Sequence, residues 1–396
     1  MLTLERIDAL NAGFEAQFGS KPTRYFSAPG RTELSGNHTD HQRGRVLAAA
    51  VNLDMQAAVR ENGENIIRVC SKGFPTNEID LSVLTPIKEE ENTTAALIRG
   101  VAARFVQLGC KVQGFDVYME STVLPGSGLS SSAAFEVLMG TIINHLFFDG
   151  KVSGVEIAII GQYAENVFFG KPCGLMDQMA SAVGGMVTID FEDPKTPKVE
   201  KLEFDFASCN HALCIIDTRA SHAELTVEYA AITRELKAIS NYFGKEVLRQ
   251  IPEADFYKEL PALREHFGDR AVLRAIHFYE ENARVTRQVE ALTQGDFDTY
   301  LQEMKESGRS SYMYLQNVIP TGATMHQEVG LTLALCGKLL GHRGGYRVHG
   351  GGFAGTVQAF VPTDMLDAFR TGIDSVLGEG ACHILSIRPH GGIEIM

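Results

Sequence analysis

The sequence holds no run of 18 apolar residues, so no helix is expected to cross a membrane. None of its seven cysteines belongs to a Cys-x-x-Cys pair, the count is odd, and the start Met1-Leu-Thr-Leu-Glu-Arg6 lacks a secretory pattern. Reduced thiols and a cytoplasmic location are the expectation, rather than a disulfide framework. Positive charge is also short: 36 Lys and Arg stand against 49 Asp and Glu, a formal net charge of −13. That balance argues against nucleic acid or an anionic membrane as a general partner. Repeats and low-complexity tracts are missing. What remains is a chain of 396 residues, 44% hydrophobic, with a mean hydropathy of −0.04. That length suits roughly two to three domains, and such a chain buries about three quarters of its unfolded surface.

Against these absences stands one dense segment, Leu124-Pro-Gly-Ser-Gly-Leu-Ser-Ser-Ser-Ala-Ala134. It follows Phe115–Ser121, whose alternating apolar and polar residues predict a strand, and precedes Ala133–Phe148, an apolar run long enough for a buried helix. Glycines let a backbone approach a ligand closely, and the first N–H groups of a helix face an anion with the helix dipole behind them. Gly126, Ser127, Gly128 and Leu129 would supply the loop. The hydroxyls of Ser130, Ser131 and Ser132 could reach phosphate oxygens or a magnesium ion. A plain Gly/Ser turn capping a helix reads equally well from these residues alone. A Walker A loop is excluded, because no Gly-Lys-Ser/Thr closes the segment.

Elsewhere the pattern predicts strands at Val46–Val59, Ile66–Cys70, Met186–Asp190, Leu213–Asp217, Thr356–Val361 and Ile384–Ile387. Helices are predicted at Ala95–Leu108, Val155–Phe169, Ala223–Phe243, Phe278–Leu292, Asp298–Ser307, Met325–Gly341 and Asp364–Leu377. Asp193-Pro-Lys-Thr-Pro-Lys198 reads as a polar connector and sets a domain boundary near residue 200, giving lobes 1–200 and 201–396. Strands mixed with helices in two lobes predict an α+β fold with the site between them.

Three further segments stand in a telling order: Ala28-Pro-Gly-Arg-Thr-Glu-Leu-Ser-Gly-Asn-His-Thr-Asp-His41, Pro172-Cys-Gly-Leu-Met-Asp-Gln178 and Arg347-Val-His-Gly-Gly-Gly-Phe-Ala-Gly355. With the serine-rich segment they resemble, in order and spacing, the motifs of the GHMP small-molecule kinases and, within them, the galactokinases. The resemblance spans about residues 24–362. It implies a two-lobed fold, ribosomal-S5-domain-2-like in the N-lobe and ferredoxin-like in the C-lobe. It also implies transfer of a phosphoryl group from ATP, with Mg²⁺, to the anomeric hydroxyl of galactose. Partners would be the sugar and ATP, and the chain a monomer or at most a dimer.

The resemblance assigns roles to residues that would otherwise read as ordinary. Asp177, an N-cap or surface carboxylate on other grounds, becomes the proton acceptor for the sugar hydroxyl. Arg31, in a Pro29-Gly-Arg turn that could aim it inward, becomes the cation stabilising charge on the γ-phosphate. Glu165, otherwise a helix-face glutamate, joins Ser132 as a magnesium ligand. Asn37, His38, Thr39 and Asp40 would face the sugar, with Gly174 and Tyr229, the latter seven residues after His222. Four departures bear on specificity. The family has Asn and Glu where this chain has Glu33 and Asn37, and an exchange of touching residues would preserve a hydrogen bond. His41 replaces a tyrosine, His349 a threonine and Ala354 a glycine, so residue 354 must avoid positive φ or accept some strain. A neutral Asn37 would not repel a 6-carboxylate, which leaves galacturonate beside galactose. A sugar-and-ATP sensor without turnover is the reading from another class.

Overall fold

The computed structural model describes residues 3–123, 128–171, 173–220 and 225–395. Gly126, Ser127, Pro172 and His222 lie outside them. Helix α1 (Leu4–Phe18) leads into strands β1 (Arg24–Ser35), β2 (Arg45–Glu61), β3 (Ile66–Ser71) and β4 (Asn77–Asp80), then α2 (Thr94–Gln107), β5 (Phe115–Ser121) and α3 (Ser131–Phe147). Next come α4 (Gly154–Tyr163), α5 (Met176–Val183), β6 (Met186–Asp190) and β7 (Lys198–Leu202). The second half runs β8 (His211–Asp217), α6 (Thr226–Tyr242), α7 (Glu253–Lys258), α8 (Leu260–Thr293), α9 (Phe297–Ser310) and α10 (Glu328–Leu340). It closes with β9 (Gly345–His349), β10 (Thr356–Pro362), α11 (Leu366–Leu377), β11 (Cys382–Leu385) and β12 (Ile393–Glu394).

Two sheets result. The larger follows the order β12-β1-β2-β5-β3-β4, with β6 and β7 branching from the other end of β2. Its pairs are antiparallel except β3 with β5. The smaller is antiparallel throughout, in the order β11-β8-β10-β9. The last strand returns to pair with β1, Phe26 opposite Glu394, so the C-terminal tail lies on the first sheet.

Burial explains why α3 sits where it does. Every side chain from Ala133 to Asn144 is buried, and a helix that is apolar nearly all round needs neighbours on all sides. Gly140 lets Ile157 of α4 close in: a Cβ there would lie 3.0 Å from its Cγ2. A second core joins the sheets. Leu34, Leu47 and Val51 from the first pack with Leu213, Ile215 and Phe360 from the second, and Val123, Leu129 and Ala134 beside the serine-rich loop belong to the same cluster. Phe206, Phe297, Tyr300 and Phe360 stack within it at centroid distances such as 4.6 and 5.7 Å, each pair contributing about 0.5–1.5 kcal/mol beyond area.

Several expectations are corrected. The segment Pro29-Gly-Arg is no turn but the middle of β1, where the register with β2 slips between Pro29 and Arg31. The predicted helix Val155–Phe169 ends as α4 at Tyr163 and continues as a π-helical turn, Ala164–Phe169, which carries Glu165. Asp177 lies within the first turn of α5, and the N-cap position is Leu175. Phe278–Leu292 is only the tail of a 34-residue helix bent at Gly268, and β11 begins two residues before the predicted strand.

Candidate active site

The slip in β1 creates the site. Gly30 has no Cβ to collide with Leu129 O, which would stand 3.0 Å away, so the serine-rich loop packs directly on the strand. The backbone N–H of Arg31 then donates to Leu129 O at 3.0 Å. Its guanidinium, 6% exposed, donates through Nη1 to Gly128 O and through Nε to Asp177 Oδ1 at 2.7 Å. The other carboxylate oxygen, Oδ2, accepts from Ser130 Oγ at 2.7 Å. Ser181 Oγ of α5 donates to Pro29 O at 2.6 Å, which ties the helix bearing Asp177 to the strand bearing Arg31. Burial alone would raise the Asp177 pKa; the Arg31 guanidinium and the Ser130 hydroxyl outweigh it and hold the carboxyl below its ordinary range. Asp177 is thus an ionised carboxylate, its side chain a third exposed and open to a proton donor.

Ser130 sits at φ 56°, a left-handed conformation uncommon outside glycine and concentrated at functional sites. It precedes α3, whose first N–H groups, from Ser131 and Ser132 onward, have no acceptor within the helix. Both side chains are half-buried.

Next to Asp177 on α5, Gln178 donates through Nε2 at 2.9 Å to Glu165, which is nearly buried and lies 3.5 Å from Lys171 Nζ. The same Gln178 amide donates to Glu136 Oε2 at 3.0 Å. Among the described residues, Glu136 Oε1 has no hydrogen-bond partner. Burial first, then the neighbouring Glu165, pushes the Glu136 pKa well up. Two adjacent carboxyl groups, one with an orphaned oxygen, face one exposed cation, Lys171, and leave room for more positive charge. That fits a magnesium ion held by one or two protein oxygens and completed by phosphates and water. Among the described residues, no group of three His, Cys, Asp or Glu forms a self-sufficient metal cage.

The loop 36–40 forms the other wall. Asp40 lies against Gly174, where a Cβ would fall 1.9 Å from its Oδ2, so only glycine leaves room for that carboxylate. His38 adopts φ 60° and bonds through Nε2 to Gly351 O at 2.9 Å. Burial lowers its pKa to about 4, so the ring is neutral and Nε2–H is the donor. Tyr229 donates from its hydroxyl to Gly352 O at 2.9 Å and packs edge-on against Phe353. Thr39 differs from expectation: it is fully buried and its hydroxyl reaches Gly36 O and Arg45 O, closing the loop on itself. Asn37 is also fully buried. It donates to Glu33 Oε1 at 3.1 Å and Gly350 O at 2.6 Å, and accepts from Asn317 Nδ2 at 2.8 Å.

A model of the GHMP kinases N-terminal domain matches residues 96–185, and a galactokinase galactose-binding signature matches residues 12–61. The galactokinase of Actinobacillus pleuropneumoniae serotype 3 (strain JL03) is 32% identical over 360 residues, 90% of either chain. The chain belongs to the galactokinase family. The galactokinase of Glaesserella parasuis serovar 5 (strain SH0165) is also 32% identical, over 92% of either chain. The crystal structure of Lactococcus lactis galactokinase complexed with galactose matches with a TM-score of 0.84 at 23% identity, over 98% of this chain and 99% of that one. A mevalonate kinase matches at 0.65 and 14%, over 93% and 100%. The two-lobed α+β architecture is that of the GHMP kinases.

Against the family pattern, the departures acquire a physical sense. Glu33 and Asn37 touch, so their exchange preserves a contact. Glu33 pairs with Arg347 at 2.8 Å, and neither side chain reaches solvent. His349 accepts from Glu33 N at 3.2 Å, contacts Thr32 Oγ1 at 3.0 Å and bonds to Thr356 Oγ1 at 2.8 Å. It therefore joins β9 to the strand that carries Arg31. Burial, then Arg31 and Arg347, press its pKa far down and keep it neutral. Ala354 avoids positive φ as required, and the strain moves to Phe353 at φ 58°. A cavity of about 520 Å³, lined by Lys201, Phe204, His211 and Ile384 among others, contains none of these residues.

Sequence reading missed the support beneath the loop. Glu281 and His277 of α8 are both buried and bond to its backbone. A signal existed: two polar residues four apart share a helix face with Phe278 and Val285, where apolar residues are expected. Glu136 was hidden in the same way inside the apolar helix α3.

Proposed function

We propose that this chain transfers the γ-phosphoryl group of ATP to the anomeric hydroxyl of galactose, giving galactose 1-phosphate and ADP. The observation that carries the reading is the Asp177–Arg31–Ser130 arrangement at the mouth of the phosphate loop, in a chain that carries the galactose-binding signature. Phosphoryl transfer demands positioning and charge stabilisation more than covalent work. Asp177, ionised and partly open, accepts the sugar proton. Arg31 joins Asp177 to the loop at Gly128, and from there it faces charge developing on the transferred group. Gly128, Leu129, Ser130, Ser131 and Ser132 form the described part of the nucleotide cradle, with the dipole of α3 behind them, and Gly126 and Ser127 are the further loop residues expected to join it.

Glu165 and Ser132 would hold Mg²⁺. When bound, that ion would supply positive charge to offset that of the nucleotide phosphates. Glu165→Ala is expected to raise the magnesium concentration for half-maximal rate, and an unchanged magnesium profile would place the ion elsewhere.

Asp40, His38 and Tyr229 contact the sugar, with Gly174 making room for Asp40. Asn37 and Thr39 build the loop from within. The lobes divide near residue 200, with strand β12 of the tail returning to the first sheet, and the working form is a cytoplasmic monomer or at most a dimer. A coupled ADP-release assay with galactose, galacturonate and glucose tests the reading. Turnover with galactose is expected; ADP release that ignores every galacto-configured sugar sinks it and leaves the sensor. Turnover of galacturonate alone would move the substrate to the uronate.

A further inference from the structure

The loop Gly36–Asp40 has an unusual backbone. Gly36 takes φ 92° and His38 φ 60°, and the segment joins β1 to β2 without a sheet partner of its own. A loop in such a conformation keeps it only when its surroundings over-determine it. Part of those surroundings is the glycine run 350–352, which receives the side chains of Asn37 and His38, and the part that holds the main chain is one face of α8. Glu281, 0% exposed, accepts through Oε1 from the N–H of Gly36 at 3.1 Å and of Asn37 at 3.4 Å, and from the hydroxyls of Ser35 at 3.4 Å and Ser307 at 2.7 Å. Its Oε2 accepts from Arg284 Nη1. One turn earlier His277, 1% exposed, bonds through Nε2 to Asn37 O at 2.9 Å and through Nδ1 to Ser310 Oγ at 2.8 Å. A carbonyl can only accept, so Nε2 carries the proton and Nδ1 receives that of Ser310. Asn282 Oδ1, next along the helix, accepts from Arg45 N at 2.8 Å where the loop enters β2.

These contacts share one feature. Three of them hold main-chain atoms of Gly36 and Asn37, and none holds the side chains of His38 or Asp40. A buried carboxylate gathering several donors is strong and directional, because each bond to the charged group exceeds a neutral one. The residues that follow inherit their direction from the peptide planes it fixes.

We propose that Glu281 and His277 are positioning residues for the sugar: four residues apart on α8, they grip the N–H of Gly36 and Asn37 and the carbonyl of Asn37, and thereby aim His38 and Asp40 into the cleft. The proposal rests on the reading of this loop as the sugar-binding wall. Neither side chain touches substrate. Their effect passes through the loop, so it falls on the sugar and leaves the nucleotide alone.

The test uses the full-length enzyme and four variants, with KM measured separately for galactose and ATP. Glu281→Met removes the acceptor at similar size, and it is expected to raise the galactose KM by about tenfold to a hundredfold, the scale of a misplacement near 1 Å, while the ATP KM stays within about twofold. His277→Leu, which removes one donor, carries the test if Glu281→Met fails to fold; a several-fold rise is expected, and His277→Gln, which restores an N–H at that reach, should recover most of it. A merely structural role would lower Tm and active yield without separating the two KM values. Equal rises for sugar and ATP, or an unchanged galactose KM in the folded variants, overturn the proposal. Asp40→Ala is run beside them. If it weakens galactose while Glu281→Met and His277→Leu do not, the loop reading stands and the positioning role fails. If Asp40→Ala leaves galactose unaffected, the loop is not the sugar wall and the proposal falls with it.

Discussion

Two arginine–carboxylate pairs lie close together in this fold, and they behave in opposite ways. Arg31 and Asp177 meet at 2.7 Å in the cleft, and Arg347 and Glu33 meet at 2.8 Å beneath it. The chemistry is the same and the distances nearly so. Yet the Asp177 pKa is lowered and the Glu33 pKa raised. In both, burial is the largest influence and favours the neutral acid. At Asp177 the cation and the Ser130 hydroxyl overcome it, whereas at Glu33, 4% exposed, Arg347 and Asn37 do not. A partly open carboxylate with a cation can serve as a proton acceptor; a sealed one with a cation can only hold elements together. Side-chain exposure, 33% against 4%, leaves Asp177 able to meet a substrate and Glu33 able only to join elements.

The largest effect that can break this comparison is on turnover. Asp177→Asn is expected to keep ATP binding and to lower kcat by ~10²–10⁴, the range for losing a positioned proton acceptor. Arg31→Ala should cost a similar order through lost charge stabilisation. Near-normal kcat in Asp177→Asn would remove it from the chemistry, and a change confined to KM would demote Arg31 to binding.

The buried pair should respond in stability instead. Arg347→Met leaves Glu33 sealed without its cation, and removing one partner of such a pair costs about 3–5 kcal/mol. Urea denaturation reads this directly. The double variant Arg347→Met with Glu33→Leu should recover much of the loss, because no lone charge is left behind. A loss below about 1 kcal/mol in the single variant would class the pair with surface bridges.

A smaller effect has opposite signs at the two sites. Asp177, with a lowered pKa, contributes stability above its ordinary value of 3.8 and loses it as pH falls through the folded value. Glu33, with a raised pKa, has its favourable contribution below 4.5 and loses it as pH rises through the folded value. Relative to Glu33→Gln, the wild-type chain should therefore weaken as pH climbs above 4.5. Relative to Asp177→Asn it should weaken only below 3.8. The same lowering means that Asp177 adds no acid limb to kcat/KM near pH 6, and such a limb persisting in Glu136→Gln would contradict the assignment of Asp177.

What the sequence disclosed and what it hid follow the same division. Alternation made Phe115–Ser121 and Met186–Asp190 legible to the residue, because each strand carries its face pattern locally. The motif order identified Asp177 and Arg31, which the fold brings together across 146 positions. Strand β1 was not legible: its Pro, Gly and Ser mimic a turn, and only the register slip with β2 turns them into a strand that admits the phosphate loop. Nor could local pattern place Glu165 on a π-helical turn, since that depends on how α4 meets its neighbours. Thr39 and Asn37 are expected to face the sugar because they share a motif with His38 and Asp40. Asn37 is held inside by partners hundreds of positions away, Asn317 and Gly350, and Thr39 by Gly36 and Arg45 of its own loop.

The smallest expected effect is the sharpest question about specificity. The double exchange Glu33→Asn with Asn37→Glu restores the family pairing at two touching positions. A carboxylate facing C6 of the sugar would repel a uronate, and like charges near 4 Å cost on the order of 1 kcal/mol in water and several in a drier cleft. That would shift the galactose-to-galacturonate ratio of kcat/KM by at least about tenfold. The geometry points the other way. The Asn37 side chain is sealed, its amide N–H groups go to Glu33 and Gly350, and its carbonyl receives Asn317. A glutamate there would meet the Gly350 carbonyl, an acceptor facing an acceptor, while Arg347 would lose the carboxylate at 2.8 Å. The cost should appear as lost stability, with the sugar ratio changing by less than about threefold, or ~0.6 kcal/mol. Measuring kcat/KM for both sugars in wild type and double variant, alongside a urea melt of each, decides it. A shift of tenfold or more toward galactose at unchanged stability would return Asn37 to the sugar site and place C6 against it.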